Sequence, residues 1–202
     1  MVMLDESALQ TRRVDKKKAP EPKLSDKPIS PDRYFSKEFA AAEWEKIWTK
    51  TWQIAGVVQQ LKKTGDYITM PLGPETILCV MGEDQKVRAF YNVCQHRGML
   101  LMPGEQGHSR RLVCPYHGWA YDLKGTLRVV PEEPDYPQGS PCGKLNLVEI
   151  PCEVWAGFVW FNMDPKCKSL RESLAPIVDQ VDCYPMGDMI RTHWVTLEGN
   201  FN

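Results

Sequence analysis

Two short segments of the chain each hold one cysteine and one histidine, and this pattern constrains the fold more than any other feature. Cys94 and His96 are separated by one residue, and Cys114 and His117 are separated by two. Glycines and prolines surround both pairs, so each pair is predicted to lie in a tight loop that turns backbone N–H groups toward a buried anion. A fold that carries these loops has to hold two thiolates and two imidazoles at fixed points.

Three interpretations of these four residues compete. Structural zinc is the commonest use of such ligands, but zinc fingers pair cysteine with cysteine and then histidine with histidine. A Rieske-type [2Fe–2S] centre has two histidines in place of two cysteines on one of its irons. Cys94 and Cys114 would then bind one iron, and His96 and His117 the other. The third interpretation treats all four as ordinary core residues, but the spacing favours the Rieske centre.

The segment between Trp52 and Pro165 is predicted to be mainly β. Its short runs of β-branched and aromatic residues are separated by Gly, Pro and Asp turns, which is typical of a sandwich or barrel. The predicted strands cover 52–60, 65–72, 75–82, 86–93, 110–114, 125–130, 145–155 and 157–164.

Helices are predicted on both sides of this β region. Residues 36–51 have an aromatic stripe at helical spacing, expected to pack against the following sheet, with Ser36 as a plausible N-cap. Residues 169–182 form a second predicted helix, which Pro176 is expected to kink or split. A strand-like segment follows at 189–199.

The segments CQHRGMLL (94–101) and CPYHGWAYDLKG (114–125) resemble the Rieske domain of the ring-hydroxylating oxygenase family, in its large (α) subunit. The resemblance runs from about Tyr34 to Asn202. It implies a Rieske iron–sulfur β-sandwich with a two-loop cluster-binding subdomain, preceded by a helix and followed by the start of an α+β (helix-grip) catalytic domain. The expected organisation is a flexible tail at 1–31, a helix plus Rieske domain at 32–166, and the start of a truncated catalytic domain at 167–202.

Four further residues match positions that surround the cluster in this family: Arg97, Gly98, Tyr116 and Trp119. The resemblance implies that they shape the two loops and exclude water. Each histidine is expected to bind iron through one ring nitrogen and to present the other N–H outward.

A second branch of Rieske proteins, in respiratory complexes, has an extra cysteine in each loop, and the two form a disulfide. Met99 and Tyr116 hold those places here, which excludes such a bridge. That branch also has a serine that donates to a bridging sulfide, where this chain has Trp119. Because loss of a donor makes the reduced state less favourable, we expect a potential low in the Rieske range of roughly −150 to +300 mV.

The resemblance implies an oxidoreductase, either a dioxygenase or a monooxygenase. Electrons would come from NAD(P)H through a ferredoxin or flavin reductase, pass the cluster, and reach a mononuclear non-haem Fe(II) for O₂-dependent hydroxylation of an organic, typically aromatic, substrate. The expected assembly is a homotrimer (α3) or α3β3. Two alternatives remain: a monooxygenase acting on a quaternary amine such as choline, betaine or carnitine, and a stand-alone Rieske ferredoxin that only carries electrons.

No catalytic residue is expected within this chain. The two-histidine, one-carboxylate ligands of the mononuclear iron are expected beyond Asn202, so this chain alone is expected to be inactive as a hydroxylase. Asn200 is a candidate for a position close to that iron, although a helix-start asparagine is the plainer explanation. His108 and His193 are the remaining histidines, and neither has a spaced carboxylate partner.

Charge and composition argue for a cytoplasmic protein without nucleic-acid or membrane partners. The net charge is −1, so no basic excess favours nucleic acid or an anionic membrane surface. No apolar run approaches a membrane span of about 20 residues, and the N-terminus lacks a signal-peptide core. The seven scattered cysteines are typical of a reducing compartment.

Overall fold

The computed structural model describes residues 28–131, 133–189 and 195. The chain divides into two compact units, residues 1–36 and 37–202. In the first unit the described residues form one short helix, α1 (Asp32–Phe35). Most of the predicted tail, residues 1–27, lies outside the described residues.

The described part of the second unit begins with helical structure and continues as eleven strands. Its helices are α2 (Lys37–Glu43), a π-helix (Trp44–Trp48), α3 (Leu170–Ser173), α4 (Ala175–Val181) and 3₁₀ turns at Val58–Gln60, Glu133–Asp135 and Met186–Asp188. The strands are β1 (Gln53–Val57), β2 (Asp66–Leu72), β3 (Glu75–Met81), β4 (Val87–Tyr91), β5 (Gln106–His108), β6 (Leu112–Val113), β7 (Ala120–Tyr121), β8 (Leu127–Val129), β9 (Glu149–Ile150), β10 (Cys152–Trp155) and β11 (Phe158–Phe161).

The strands form three open antiparallel sheets. The largest has the order β5-β2-β3-β4-β9, and two three-stranded sheets have the orders β1-β11-β10 and β6-β7-β8. The architecture is therefore one of layered sheets and not a closed barrel. Short strands at this spacing allow either a sandwich or a barrel, and the described structure excludes the barrel.

Strand β3 is buried on both faces and separates two hydrophobic cores. Successive side chains of a strand point to opposite faces. Leu78 and Val80 lie in the first core, whereas Ile77, Cys79 and Met81 lie in the second. The first core also contains the thiols of the two Cys–His loops, together with aromatic and aliphatic residues including Phe90, Leu101, Trp119, Tyr121 and Leu127.

The helix predicted at 36–51 is partly wrong, because α2 changes into a π-helix at Trp44. A π-helix has more residues in each turn, so residues three and four apart no longer share one face. Trp44 packs against the second core, but Ile47 and Trp48 are 48% and 42% exposed. The aromatic stripe therefore does not pack against the sheet as a whole.

The helix predicted at 169–182 is split, as Pro176 indicated. Leu174 separates α3 from α4, and Pro176 lies in the first turn of α4, where a missing N–H costs nothing. Ser169 and Glu172 form a capping box at the start of α3. The strand-like segment predicted at 189–199 falls almost entirely outside the described residues.

Strand β5 is a second difference from the sequence prediction. No strand is predicted between residues 93 and 110, yet Gln106–His108 pairs with β2 at the edge of the five-stranded sheet. A three-residue edge strand gains its backbone hydrogen bonds from a distant partner, so local composition carries little signal for it.

Gly73 illustrates how the first helical segment is fitted to the sheet. It lies in the turn between β2 and β3 with φ +56°, and a Cβ at this position would approach the Trp44 ring to 2.5 Å. We expect Gly73→Ala to lower the free energy of unfolding by about 2–4 kcal/mol, from positive-φ strain plus displacement of the indole. Chemical denaturation measures the loss.

Gly139→Ala is the matched control for that substitution. Gly139 also has positive φ, at +86°, but no atom lies within 4 Å of the added Cβ. Its cost should be the backbone strain alone, about 1–2 kcal/mol. Equal losses in the two variants would show that the contact with Trp44 contributes nothing.

Candidate metal centre

The first ligand loop leads from β4 toward β5 and carries Cys94 and His96. The Cys94 N–H donates to the Met99 carbonyl at 2.8 Å, and the Gly98 N–H donates to the Cys94 carbonyl at 3.0 Å. Gly98 has φ +71°, a conformation that side chains rarely adopt. These bonds fold the chain back on itself immediately after Cys94.

The second loop repeats this backbone pattern. The Cys114 N–H donates to the Trp119 carbonyl at 2.8 Å, and the Gly118 N–H donates to the Cys114 carbonyl at 3.1 Å. Gly118 has φ +70°, as at Gly98. The loop joins the paired strands β6 and β7, so a strand ladder closes it. Two loops of the same construction therefore present their cysteines in equivalent places.

The two thiols lie inside the first core. Cys94 and Cys114 are 1% and 2% exposed. The Tyr121 hydroxyl lies 3.4 Å from the Cys94 Sγ and accepts the Gln95 N–H at 3.1 Å, so its own proton can be directed at the sulfur. Burial raises the pKa of the Cys94 thiol, while the Tyr121 hydroxyl and the His96 N–H lower it. Burial also raises the pKa of the Tyr121 hydroxyl.

The two imidazoles face each other at the surface side of the thiols. The centroids of the His96 and His117 rings are 4.7 Å apart, and the ring planes meet at 71°. Both rings are half-buried, and the Nδ1 atom of each is closed to solvent. The buried Nδ1 of His117 has no hydrogen-bond partner, an arrangement that is costly unless the nitrogen binds something else.

Aromatic rings hold the orientation of both imidazoles. Trp119, almost fully buried, stacks on His96 with the centroids 4.7 Å apart and the planes 12° from parallel. Tyr116, 57% exposed, lies over His117 at 3.7 Å. Tyr136 contacts Trp119 edge-on at 6.3 Å. The imidazoles are thus fixed in direction as well as in position.

The imidazoles open onto a pocket of about 300 Å³. It is lined by His96, Arg97, His117, Trp119, Val130, Pro131 and Tyr136. The structure therefore brings the four predicted ligands and the four predicted surrounding residues into one place. Arg97 lines the pocket, Gly98 forms a loop turn, and Tyr116 and Trp119 cover the imidazoles.

Sequence reasoning missed Tyr121 and Tyr136. Tyr121 lies two residues after Trp119, on the strand that leaves the second loop, so strand alternation could have indicated that it points back to the core. Tyr136 belongs to a Pro-rich segment without periodicity, and nothing local connects it to the loops.

The donor set fits a binuclear cluster. Among the described residues, no three His, Cys, Asp or Glu side chains are grouped as one metal ion would need. A Rieske cluster needs less at any single point, because each of its two irons takes only two protein ligands. Two buried thiols and two imidazoles with inward Nδ1 atoms provide such pairs.

The remaining predicted positions lie elsewhere. His108 is exposed on β5, where its Nδ1 lies 2.9 Å from the Asp66 carboxylate. His193 and Asn200 lie outside the described residues. No helix in the described part of the chain has both the length and the apolar character needed to cross a membrane.

Both ligand loops lie in a region that matches a known family. Residues 51–149 match the family described as the Rieske [2Fe–2S] domain. The chain is 36% identical over 145 residues to the carnitine monooxygenase oxygenase subunit of Escherichia coli K12, which covers 71% of this chain and 38% of that protein. It is 30% identical over 142 residues to the α subunit of benzene 1,2-dioxygenase from Pseudomonas putida, covering 70% and 32%.

Solved structures agree with these sequence matches. A quaternary ammonium Rieske monooxygenase superposes with a TM-score of 0.70 at 30% identity, covering 75% of this chain and 41% of the other. Naphthalene 1,2-dioxygenase superposes with a TM-score of 0.63 at 31% identity, covering 67% and 31%. The chain thus spans well under half the length of these relatives. It carries a Rieske [2Fe–2S] domain, and over that domain it is similar to the oxygenase subunits of Rieske monooxygenases and dioxygenases.

Proposed function

We propose that the chain supplies the electron-accepting domain of an oxygenase, with Cys94 and Cys114 as ligands of one iron and His96 and His117 as ligands of the other. The observation that carries the proposal is the convergence of two buried thiols and two inward-facing imidazoles from two loops of equal construction. A bound Rieske cluster supplies reversible one-electron transfer.

The residues around the proposed ligands divide the site into an insulated side and an open side. The thiols are enclosed by the first core, which excludes water and competing oxidants. The imidazoles line the open pocket, and ligation through the buried Nδ1 atoms would put Nε2 of each ring on the pocket side. Electrons and protons would therefore pass on the histidine side.

The wider activity follows from the relatives. We propose hydroxylation of an organic substrate with O₂ at a mononuclear non-haem iron, with electrons from NAD(P)H through a ferredoxin or flavin reductase. An α3 or α3β3 assembly would bring the pocket of one subunit to the iron of another. No two of the seven cysteines, all of which lie in the described residues, form a disulfide, and this supports placing the protein in the reducing cytoplasm.

A quaternary-amine monooxygenase is the second candidate. The relatives named for carnitine and choline oxidation are 36% and 38% identical, against 30% for the benzene dioxygenase. These relatives are the observation that supports the second candidate. A stand-alone electron carrier remains the alternative that would lack hydroxylation altogether.

Metal analysis and EPR test the proposed ligands. The purified chain should contain about two irons and two sulfides, and its reduced form should give an average g below that of a four-cysteine cluster. Cys114→Ala should lose the cluster, and His117→Cys should change the EPR signal. Cys183→Ala, at an exposed cysteine outside the site, is the control and should leave both unchanged. Zinc without visible absorption would refute the assignment.

The midpoint potential should depend on pH. A ferric iron makes the outer imidazole N–H more acidic, so at high pH the oxidised form has lost protons that the reduced form keeps. Deprotonation then favours the oxidised form, and the potential should fall by about 59 mV per pH unit for each proton. Redox titration between pH 6 and pH 11 measures this slope.

The exposed His108 serves as the control for that titration, since His108→Ala should leave the slope unchanged. A potential that is independent of pH throughout the range would contradict histidine ligation.

Tyr121→Phe should lower the midpoint potential. When Cys94 binds iron as a thiolate, the Tyr121 hydroxyl is the donor in this contact, and such a bond is stronger in the more negative, reduced state. A difference of about 1 kcal/mol corresponds to roughly 40 mV for one electron. Tyr67→Phe is the control, because Tyr67 is also buried in the first core but donates to the Pro103 carbonyl. Equal shifts in both variants would exclude a specific effect on the sulfur.

A further inference from the structure

We infer that Asn92 is a positioning residue, whose carboxamide holds the first ligand loop closed and so determines where Cys94 and His96 stand. The inference rests on the proposed ligand set for its functional meaning. The closure of the first ligand loop by the Asn92 side chain can be tested without a bound cluster.

The first loop lacks the support that the second loop receives from its strands. The second loop joins β6 to β7, which pair with each other. The first loop leaves β4, which pairs with β3 and β9, and leads toward β5, which pairs with β2. One isolated bridge, between Val93 and Leu100, is the only strand-type pairing that the described residues show across it. Another interaction has to hold its ends together.

Asn92 provides that interaction at the base of the loop. Its Nδ2 donates to the Met102 carbonyl at 2.8 Å, and its Oδ1 accepts the Met102 N–H at 2.8 Å. Its own carbonyl accepts the Leu101 N–H at 3.2 Å, and its N–H donates to the Thr76 carbonyl on β3 at 2.8 Å. The carboxamide thus makes the two hydrogen bonds to Met102 that a residue on a neighbouring strand would make. The backbone N–H of Asn92 anchors this pair of residues to β3.

Burial makes this arrangement decisive for loop closure. Asn92 is 3% exposed and Met102 is 8% exposed. Without the carboxamide, the N–H and C=O of Met102 would be buried without partners, and they could regain hydrogen bonds only if water entered. Opening of the loop would satisfy both groups, so the closed loop depends on Asn92.

Asn162 provides a matched control. In the described part of the chain, Asn92 and Asn162 are the two buried polar residues. Asn162 Nδ2 donates to the Lys50 carbonyl at 3.4 Å, and its Oδ1 accepts the Asp164 N–H at 2.9 Å. It follows β11, and both of these side-chain hydrogen bonds go to residues outside the ligand loops. The two asparagines thus make the same kind of contacts at different places.

Hydrogen exchange in the chain as purified tests loop closure directly. Asn92→Ala should accelerate exchange of the Cys94, Gly98 and Leu101 amides by about tenfold or more, relative to the Cys114 and Gly118 amides of the second loop. Asn162→Ala should show no such preference. Equal acceleration in both loops would mean general destabilisation and would overturn the inference.

Cluster retention tests the consequence for the site. In the loaded chain, Asn92→Ala should release iron to a chelator about 10- to 100-fold faster than wild type and should shift the EPR g values, while Asn162→Ala should match wild type. Asn92→Asp keeps the acceptor oxygen and loses the amide donor, so its exchange rates and its rate of iron release should be intermediate. If Asn92→Ala does not fold, both tests are made with Asn92→Asp. Wild-type behaviour of Asn92→Asp in both tests would also overturn the inference. A wild-type chain without iron would refute the proposed function, and the exchange experiment would still decide the role of Asn92.

Discussion

The structure depends on one requirement, that two loops of irregular backbone must be held in place above a packed core. Irregular backbone has no ladder to satisfy its N–H and C=O groups, so each loop must fold its hydrogen bonds back on itself. Both loops do so through one glycine with positive φ and two short backbone bonds. Beneath them, β3 contributes side chains to cores on both of its faces, which gives the loops a rigid base.

The site is asymmetric because sulfur and imidazole have different surroundings. The thiols lie within the first core, beside one directed hydroxyl from Tyr121. The imidazoles lie above them, fixed by Trp119 and Tyr116 and open to a pocket that contains Arg97. Under the proposed ligation, electrons and protons can reach the cluster only from the imidazole side. A redox partner would therefore bind on that side.

The strands were largely predictable from the sequence, whereas the helical segments and the shortest strands were only partly so. Segments such as β2 and β3 combine β-branched residues with clear turn signals, and the predictions at 65–72 and 75–82 are confirmed. The π-helix at Trp44–Trp48 and the edge strand β5 were missed. Both are stabilised by contacts with distant parts of the chain, which local composition does not reveal.

The sequence by itself determined the chemistry of the site, since residue type and spacing at Cys94, His96, Cys114 and His117 already specify a thiol and an imidazole on each of two loops. Only the tertiary structure decided how these groups meet. The tertiary structure decides which imidazole nitrogen turns inward, which hydroxyl reaches a sulfur and which carboxamide closes a loop. These outcomes depend on pairs such as Tyr121 with Cys94. These two hydrogen bonds, of the carboxamide and of the hydroxyl, join residues 10 and 27 positions apart, and they exist only once the sheets have packed.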